Sequence, residues 1–398
     1  MFSKKIKKLV FKPKQFFNDS WFFNANNRTN ELLSGKRFNC KNIFIISNLG
    51  QLKKAEEFIR KFNKRNNGLI VLATEKNLQM PKIILEQMER KLFSSANLLT
   101  IPVFPNAFSF QKAAWFYHVY KKIVELSNAQ HAYFMSYEYH YSIFLSLFKK
   151  NNIRCSLIEE GTGTYKKLSQ ASFANVNFFS GYFNAIKSFR YPDLRYEKVY
   201  GSFPELLKER FQAKEFIEFT NAPSAKLSPK VNIVIGKYNL TSHDIIYVNQ
   251  KYAINQTLFA KSLVSILQRL EKDKGSRIFI KLHPKEPVKN VSIISKAIKD
   301  AKCKDIVLIT EPDFLIEPVI KKFKIKMLIG LTSSSLVYSP LISNKCQPYS
   351  IAPLMLELCN NKQSRKGIIT LSQHFDILKN FTNVRIISSF SDPIFKHH

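Results

Sequence analysis

Short apolar runs alternate with amphipathic helical patterns along most of the chain, and this alternation constrains the fold more than any other feature. NIFIIS at 42–47 precedes a helical pattern at 51–62, and LIVLA at 69–73 precedes another at 81–93. Strands that are apolar throughout are typical of a parallel sheet covered by helices on both faces. The sequence therefore predicts an α/β fold built from βαβ units.

The alternation is interrupted once and then resumes, which predicts two domains. The pattern loosens over residues 165–230, and NAPSAKLSPK at 221–230 has the composition of a linker. A second series begins with an expected strand, VNIVIG, at 231–236 and continues with RIFIKLHP at 277–284. The length of 398 residues also exceeds the roughly 250–300 residues at which single cores stop growing. We expect two Rossmann-like, doubly wound domains with a cleft between them.

The expected boundaries give a basic amphipathic segment at 1–20, an N-terminal Rossmann-like domain at 21–225 and a C-terminal one at 226–375. In the basic segment, lysines surround one apolar helical face, which is the pattern of a helix that lies on an anionic membrane surface. That face contains Phe2, Ile6, Leu9 and Val10. No apolar run is long enough to span a bilayer, and the five scattered cysteines fit a reducing compartment. The expected location is cytoplasmic, peripheral on the inner face of the cytoplasmic membrane.

The chain carries a large excess of positive charge. Lys and Arg number 62 and Asp and Glu number 29, so the formal net charge is +33. Such a field attracts polyanions, which include nucleic acid, anionic lipid and acidic polysaccharide. Composition alone leaves these three classes of partner open.

Two adjacent acids end an expected strand of the first domain. Glu159 and Glu160 follow the run CSLI, and Gly161 follows them. Adjacent side chains diverge, so one carboxylate can face a ligand while the other makes structural hydrogen bonds. A carboxylate at a strand end can remove a proton from a hydroxyl group, and we expect Glu159 to do so. The alternative is a solvated turn with two ordinary surface acids.

The second domain has two further signals at strand ends. His283 and Pro284 follow an apolar strand, and an imidazolium there can hydrogen-bond a phosphate and donate a proton to it. Three serines begin a predicted helix after KMLIGLT, where hydroxyl groups and free backbone N–H groups form an anion site. They are Ser333, Ser334 and Ser335. A packed histidine and an ordinary serine N-cap are the structural alternatives.

Together the three signals favour transfer of a sugar from a particular kind of donor. The sequence contains no Asp-x-Asp pair, which disfavours a divalent metal that holds a diphosphate. A CMP-activated sugar has a leaving group with a single phosphate and needs no metal ion. We therefore expect no metal site and no cofactor besides the donor substrate.

On these residues the chain resembles the bacterial sialyltransferases, and most closely the capsule polysialyltransferases, which share acidic-acidic-Gly, His-Pro and Ser-rich motifs in this order. The resemblance implies that Glu159 is the general base and that His283 is the general acid or phosphate stabiliser. It also implies that Ser334 and Ser335 hold the CMP phosphate, and that Glu317 contacts the cytidine ribose. Ser333 and Pro284 complete the implied donor site.

The resemblance implies the GT-B fold and a metal-independent, inverting transfer of sialic acid from CMP-sialic acid. The implied acceptor is the non-reducing end of oligo- or polysialic acid, and the implied partner is a complex for capsule biosynthesis and export. In this fold the last helix often crosses back to the first domain, so we expect residues 376–398 to do so.

Polysialic acid carries one carboxylate per sugar, so the positive charge predicts a basic acceptor groove. The candidate acceptor contacts are Glu160, Gly161, Lys166, Lys167, Arg190 and Arg195. For each basic residue, the alternative is an ordinary surface cation.

Three other functions remain open at this point. A nucleic-acid-binding protein would explain the charge, but it would leave the three motifs unexplained, and no nucleic-acid module is visible, so we expect no nucleic-acid partner. A sialyltransferase that adds a single sialic acid to a lipooligosaccharide would use the same chemistry. A scaffold with an inactive transferase fold is the third alternative.

Overall fold

A computed structural model describes most of the chain. The described residues are 10–12, 29–36, 38–74, 79–101, 110–166, 192–220, 229–274, 276–283, 286–311, 314 and 316–395. They belong to two compact units, Met1–Asn221 and Ala222–His398. The sequence predicts a boundary at 225, close to the one observed.

The described part of the first unit contains a seven-stranded parallel sheet with helical connections. Its strands are β1 (Asn42–Ile46), β2 (Asn67–Thr74), β3 (Ser95–Ile101), β4 (His131–Phe134), β5 (Arg154–Ile158), β6 (Arg195–Gly201) and β7 (Gln212–Glu218). Its helices are α1 (Leu49–Lys61), α2 (Gln79–Gln87), α3 (Phe110–Glu125), α4 (His140–Lys150) and α5 (Pro204–Lys208).

The strand order is β3-β2-β1-β4-β5-β6-β7, so the direction of winding reverses between β1 and β4. Phe44 of β1 lies opposite Leu69 of β2 and Tyr133 of β4, and its ring stacks on Tyr133 at 4.7 Å between centroids. Helix α1 begins where the Asn48 side chain accepts a hydrogen bond from the Gln51 N–H, and it packs Phe58 against the same aromatic cluster. The carboxyl ends of the strands share one edge of the sheet, which is where ligands bind in such folds.

The described part of the second unit contains a six-stranded parallel sheet in the order β10-β9-β8-β11-β12-β13. Its strands are β8 (Ile245–Val248), β9 (Ile278–Lys281), β10 (Ile306–Ile309), β11 (Met327–Gly330), β12 (Gln347–Ser350) and β13 (Arg385–Ile386). Its helices are α6 (Pro229–Tyr238), α7 (Gln256–Lys274), α8 (Val288–Asp300), α9 (Ile316–Phe323), α10 (Ser334–Ile342), α11 (Ala352–Leu358) and α12 (Arg365–Leu378). The reversal of winding lies between β8 and β11, so both sheets repeat the Rossmann arrangement.

The strand expected at 231–236 is wrong, because these residues lie within helix α6. A short apolar run does not distinguish a strand from a helix by periodicity, and Ile233 is 70% exposed rather than buried in a sheet. The first strand of the second unit is instead β8, which is buried along its whole length. The sequence also does not predict β6 and β7, which fall in the region where the alternation loosens.

The expectation that residues 376–398 cross back to the first domain is wrong for the part that the structure describes. Strand β13 pairs with β12, with Ser350 opposite Ile386, and the turn Pro393–Phe395 packs into the core of the second unit. Hydrogen bonding to the edge of this sheet therefore retains the segment in the second unit.

The basic N-terminal segment lies largely outside the described residues. Within it, Val10 and Phe11 are 63% and 77% exposed. Among the residues that the structure describes, no helix is both long enough and apolar enough to cross a bilayer.

Two helical glycines provide a test of the packing of the second unit. A methyl group added at Gly367 of α12 would lie 2.4 Å from the backbone carbonyl carbon of Ala253, whereas one at Gly236 of α6 would meet nothing within 4 Å. We expect Gly367→Ala to lower the free energy of unfolding by about 1–3 kcal/mol through overpacking. Gly236→Ala should raise it by up to about 1 kcal/mol, since alanine favours helix. Urea unfolding measures both, and equal stability of the two variants would contradict this packing.

Candidate active site

Glu159 follows β5 directly, and its side chain lies inside the first unit with 0% exposure. Its Oε2 accepts hydrogen bonds from the Tyr165 hydroxyl at 2.7 Å and from the Ser202 N–H at 2.5 Å. Its backbone is also fixed, because its N–H donates to the Tyr200 carbonyl at 2.8 Å and its carbonyl accepts from Lys54 Nζ at 2.7 Å. Glu159 is thus an internal anchor between β5 and β6.

Two neighbours explain why the sequence can bury this carboxylate. Gly201 ends β6, and a Cβ there would lie 2.7 Å from Glu159 Oε2, so only glycine leaves room for the acid. Burial raises the pKa of Tyr165 far above its usual range, and the negative charge of Glu159 raises it further. The phenol therefore stays protonated and donates to the carboxylate, while its oxygen accepts from the Phe203 N–H at 3.2 Å.

Glu160 has the opposite environment. Its side chain is exposed, and its Oε1 accepts a hydrogen bond from Asn48 Nδ2 at 2.9 Å. Its backbone N–H donates to Thr164 Oγ1 at 3.2 Å, which holds the turn that contains Gly161. Because Asn48 follows β1, Glu160 lies at the carboxyl edge of the sheet, near the point where the strand order reverses. The carboxylate of Glu159 is thus buried in the first unit, and Glu160 is the exposed acid of the pair. The catalytic role expected for Glu159 stays a prediction.

The second unit brings the serines together with Glu317. Ser333 caps helix α10, and its Oγ accepts from the Ser335 N–H at 3.3 Å. The Ser335 hydroxyl donates to Glu317 Oε1 at 2.8 Å, which ties α10 to the first turn of α9. Ser333 and Ser335 are buried, whereas Ser334 is half-buried at the start of the helix. Ser334 is thus the serine that is most accessible to an anion at this helix N-terminus.

Lys281 belongs to the same edge, and its role there is not predicted from the sequence. It is the last residue of β9, it is 7% exposed, and its Nζ donates to the Leu282 carbonyl at 3.1 Å. Burial lowers the pKa of Lys281, and the charge of Glu317 partly offsets that effect. A lysine at the end of the apolar run IFIK is the signal that could have revealed it. His283, two residues further on, is half-buried, and Pro284 lies outside the described residues.

A second polar cluster lies where β8 and β11 end. The Tyr252 hydroxyl is 2.6 Å from Thr332 Oγ1 and 3.0 Å from His374 Nδ1. The Thr332 N–H donates to Gln250 Oε1 at 2.7 Å. These bonds fix the loop that leads to Ser333 at the reversal of strand order. None of these four residues is predicted from the sequence.

Only some of the residues predicted to bind the acceptor lie at the same edge of the first sheet. Lys166 is exposed and directly follows the short turn Thr162–Tyr165, six residues after Glu160 in the chain. Arg195 begins β6 at the opposite edge, about 20 Å along the strand from its carboxyl end. There its Nε donates to Asp193 Oδ1 at 2.9 Å. Lys167 and Arg190 lie outside the described residues. Among the described side chains, no group of three His, Cys, Asp or Glu could hold a metal ion.

The Glu159 anchor can be tested with Tyr165→Phe. This change removes the hydroxyl that donates to Glu159 and accepts from Phe203, and it leaves the ring packing intact. We expect the free energy of unfolding to fall by about 1–3 kcal/mol, because a buried carboxylate loses a partner. Denaturant unfolding measures the change. The control is Tyr139→Phe, at a residue that is 49% exposed, where the loss should be smaller, and equal losses would contradict the anchor.

The fold is similar to solved structures of low sequence identity. UGT89C1 of Arabidopsis thaliana complexed with UDP has a TM-score of 0.50 and 11% identity, and the match covers 86% of this chain and 93% of that one. A glycosyltransferase from Rickettsia africae has a TM-score of 0.46 and 10% identity, with 86% and 95% covered. A UDP-GlcNAc 2-epimerase from Neisseria meningitidis bound to UDP-GlcNAc has a TM-score of 0.48 and 11% identity, with 87% and 95% covered.

The two Rossmann-like units and the similarity to the Arabidopsis protein show that the fold is GT-B, as the sequence predicts. No curated protein sequence matches the chain significantly. The family model described as alpha-2,8-polysialyltransferase matches residues 42–352, which is most of the chain, and the chain therefore belongs to that family.

Proposed function

We propose that this protein transfers sialic acid from CMP-sialic acid to the non-reducing end of an oligo- or polysialic acid acceptor, with inversion and without a metal ion, in capsule synthesis. The observation that carries the proposal is the polysialyltransferase family match over residues 42–352. The exposed acid of the first unit and the serine-lined helix N-terminus of the second unit support it.

The donor would bind at the carboxyl edge of the second sheet. The half-buried Ser334 at the N-terminus of α10 suits the single phosphate of CMP, and the positive end of the helix dipole favours its charge. His283, after β9, would donate a hydrogen bond to the departing phosphate, and Pro284 would adjoin it. Glu317 is held by Ser335, so its carboxylate has a fixed position from which to meet the ribose hydroxyl groups.

The acceptor hydroxyl requires a base that it can reach. The family resemblance gives this role to Glu159, but that carboxylate is fully buried and anchored by Tyr165 and Ser202. Glu160 is exposed, next to it in the chain, and oriented by Asn48. We therefore assign proton acceptance to Glu160 and positioning of the turn to Glu159.

The reaction is then a single displacement. The acceptor oxygen forms a bond to the anomeric carbon as the bond from that carbon to the phosphate oxygen breaks, and the hydroxyl proton passes to Glu160. The transition state resembles an oxocarbenium ion, and hydrogen bonds from His283 and α10 stabilise the negative charge that grows on CMP. The basic N-terminal segment, with Val10 and Phe11 exposed, would hold the enzyme at the anionic inner membrane surface, close to a capsule biosynthesis and export complex.

The function is tested by incubating the protein with CMP-sialic acid and a fluorescent sialic acid oligomer in the presence of a chelator. We expect CMP release and a ladder of longer products, and His283→Ala should abolish both. A single added sugar would instead indicate the lipooligosaccharide type of sialyltransferase, and absence of CMP release would indicate an inactive scaffold. Tight binding of RNA without any transfer would overturn the proposal in favour of a nucleic-acid-binding protein.

The roles of the two acids can be distinguished with the variants Glu160→Gln and Glu159→Gln. We expect Glu160→Gln to keep the melting temperature and to lower kcat by about 100-fold or more, since general base catalysis contributes about 100–10,000-fold. Glu159→Gln should lower the melting temperature, because it removes a charged acceptor from two buried hydrogen bonds. Thermal unfolding and steady-state kinetics give both values. If Glu159→Gln is folded but has a much lower kcat, and Glu160→Gln stays active, then Glu159 rather than Glu160 is the base.

A further inference from the structure

The loop that follows β8 lies between the two strand ends of the second unit that the proposed donor site uses. Val248, the last residue of β8, pairs with Lys281 of β9 on one side and with Gly330 of β11 on the other. The residues directly after it, Asn249 and Gln250, therefore lie at the carboxyl edge of the sheet, where the strand order reverses. Ligands of doubly wound sheets bind at this point.

Two adjacent side-chain amides bind this loop to the neighbouring strand ends. Asn249 is buried and its Nδ2 donates to Glu286 Oε2 at 3.1 Å, while the Glu286 N–H donates to the His283 carbonyl at 2.9 Å. Gln250 Oε1 accepts from the Thr332 N–H at 2.7 Å and from Thr332 Oγ1 at 3.3 Å. The loop is thus hydrogen-bonded to the turn after His283 on one side and to the residue before the serines on the other.

These hydrogen bonds decide which way the amide of Gln250 faces. A backbone N–H can only donate, so the Gln250 atom next to the Thr332 N–H must be the carbonyl oxygen. The Thr332 hydroxyl is also held in place, because Tyr252 is buried and its hydroxyl lies 2.6 Å from Thr332 Oγ1. The amino group of Gln250 is therefore turned away from the Thr332 N–H in a fixed orientation.

The amino group of Gln250 can donate to a ligand. Gln250 is half-buried, and its Nε2 has no hydrogen-bond partner within the described part of the chain, although its Oε1 is used twice. Thr332, which holds the amide, lies two residues before the half-buried Ser334 in the chain. A ligand bound at the start of α10 would therefore lie close to two unused N–H bonds.

The charge of the ligand indicates which of its atoms the amino group would meet. The positive end of the α10 dipole favours an anion at this edge. An N–H group forms a stronger, charge-assisted hydrogen bond with an anionic oxygen than with a neutral one. CMP-sialic acid carries two such groups close together, because the sugar carboxylate is attached to the anomeric carbon that bears the phosphate.

We propose that Gln250 binds the donor: its amino group donates to an anionic oxygen of CMP-sialic acid, while its carbonyl oxygen holds Thr332 in place. The inference rests on the proposed function and adds a donor-binding residue to it. That residue belongs to a strand end that contains none of the three sequence motifs. The loop after β8 would thus contribute to the same site as the strand ends at His283 and Ser334.

The variant Gln250→Glu distinguishes ligand contact from a structural role. Glutamate has the same shape and still accepts from Thr332, but an oxygen that cannot donate and that repels an anion replaces the amino group. The control Gln347→Glu adds the same charge at the first residue of β12, which is exposed at the opposite edge of the sheet. Each full-length protein is titrated with cytidine, CMP and CMP-sialic acid by calorimetry, and its melting temperature and acceptor KM are measured.

We expect Gln250→Glu to bind CMP-sialic acid about 10–100-fold more weakly, the loss associated with a hydrogen bond to a charged group. Its affinity for cytidine, its melting temperature and its acceptor KM should not change, and Gln347→Glu should behave as wild type. A matching loss for CMP assigns the hydrogen bond to the phosphate, whereas a loss confined to CMP-sialic acid assigns it to the sugar carboxylate.

Three results would overturn the inference: an unchanged affinity of folded Gln250→Glu for CMP-sialic acid, an equal loss for cytidine, or the same loss in Gln347→Glu. If Gln250→Glu does not fold, Gln250→Ala removes the whole amide, and an unchanged affinity of that variant for CMP-sialic acid would overturn the inference as well. Failure of the proposed function is a separate result, since wild type would then leave the sialic acid oligomer unextended and release no CMP.

Discussion

Parallel pairing of the strands is the constraint on which the chemistry of both units depends. It brings all the carboxyl ends to one edge of each sheet, and the polar groups of the chain gather there in spite of a largely apolar interior. In the first unit this edge carries the acid pair, and in the second it carries Lys281, Glu317 and the serines. The ends of β1 and β8 lie beside the reversals of strand order, where connecting helices diverge and leave room for a ligand.

Both units fix a strand end with a buried lysine that donates to a backbone carbonyl. Lys54 of α1 reaches the carbonyl of Glu159, and Lys281 donates to the carbonyl of Leu282, just before His283. A carbonyl at the end of a strand has lost its ladder partner, and an ammonium group satisfies it with a charge-assisted bond. The large positive charge of the chain therefore has two parts. Among the described residues most of the cationic side chains are at least partly exposed, while the buried Lys54 and Lys281 hold the ends of strands.

The sequence predicts the parts of the fold that depend on local pattern. The runs NIFIIS and LIVLA become β1 and β2 because a strand buried on both faces must be apolar throughout. The pattern does not reveal β6, whose sequence RYEKVYG is half polar, since its early residues lie toward an exposed part of the sheet. VNIVIG is apolar although its Ile233 is exposed, so its composition resembles a strand whereas its backbone is helical.

The candidate site shows the same division between local and long-range information. The sequence locates the acids, the histidine and the serines at strand ends, because that depends on order along the chain. It does not reveal which acid points inward, because that is decided by Gly201 and Tyr165, which lie 42 and 6 residues away from Glu159 in the chain.

The burial of Glu159 also explains why two adjacent acids are useful in so basic a chain. One acid is used to bind β5 to β6 through Ser202, and this bond fixes the backbone of the next residue at the edge of the sheet. Glu160 then needs only the amide of Asn48 to orient its carboxylate, which stays exposed. In the proposed function Glu160 is the base, and a single acid could not fill both roles, because burial as an anchor would remove the access that a base requires. Two neighbouring acids can fill the two roles, because successive side chains of an extended backbone point in opposite directions.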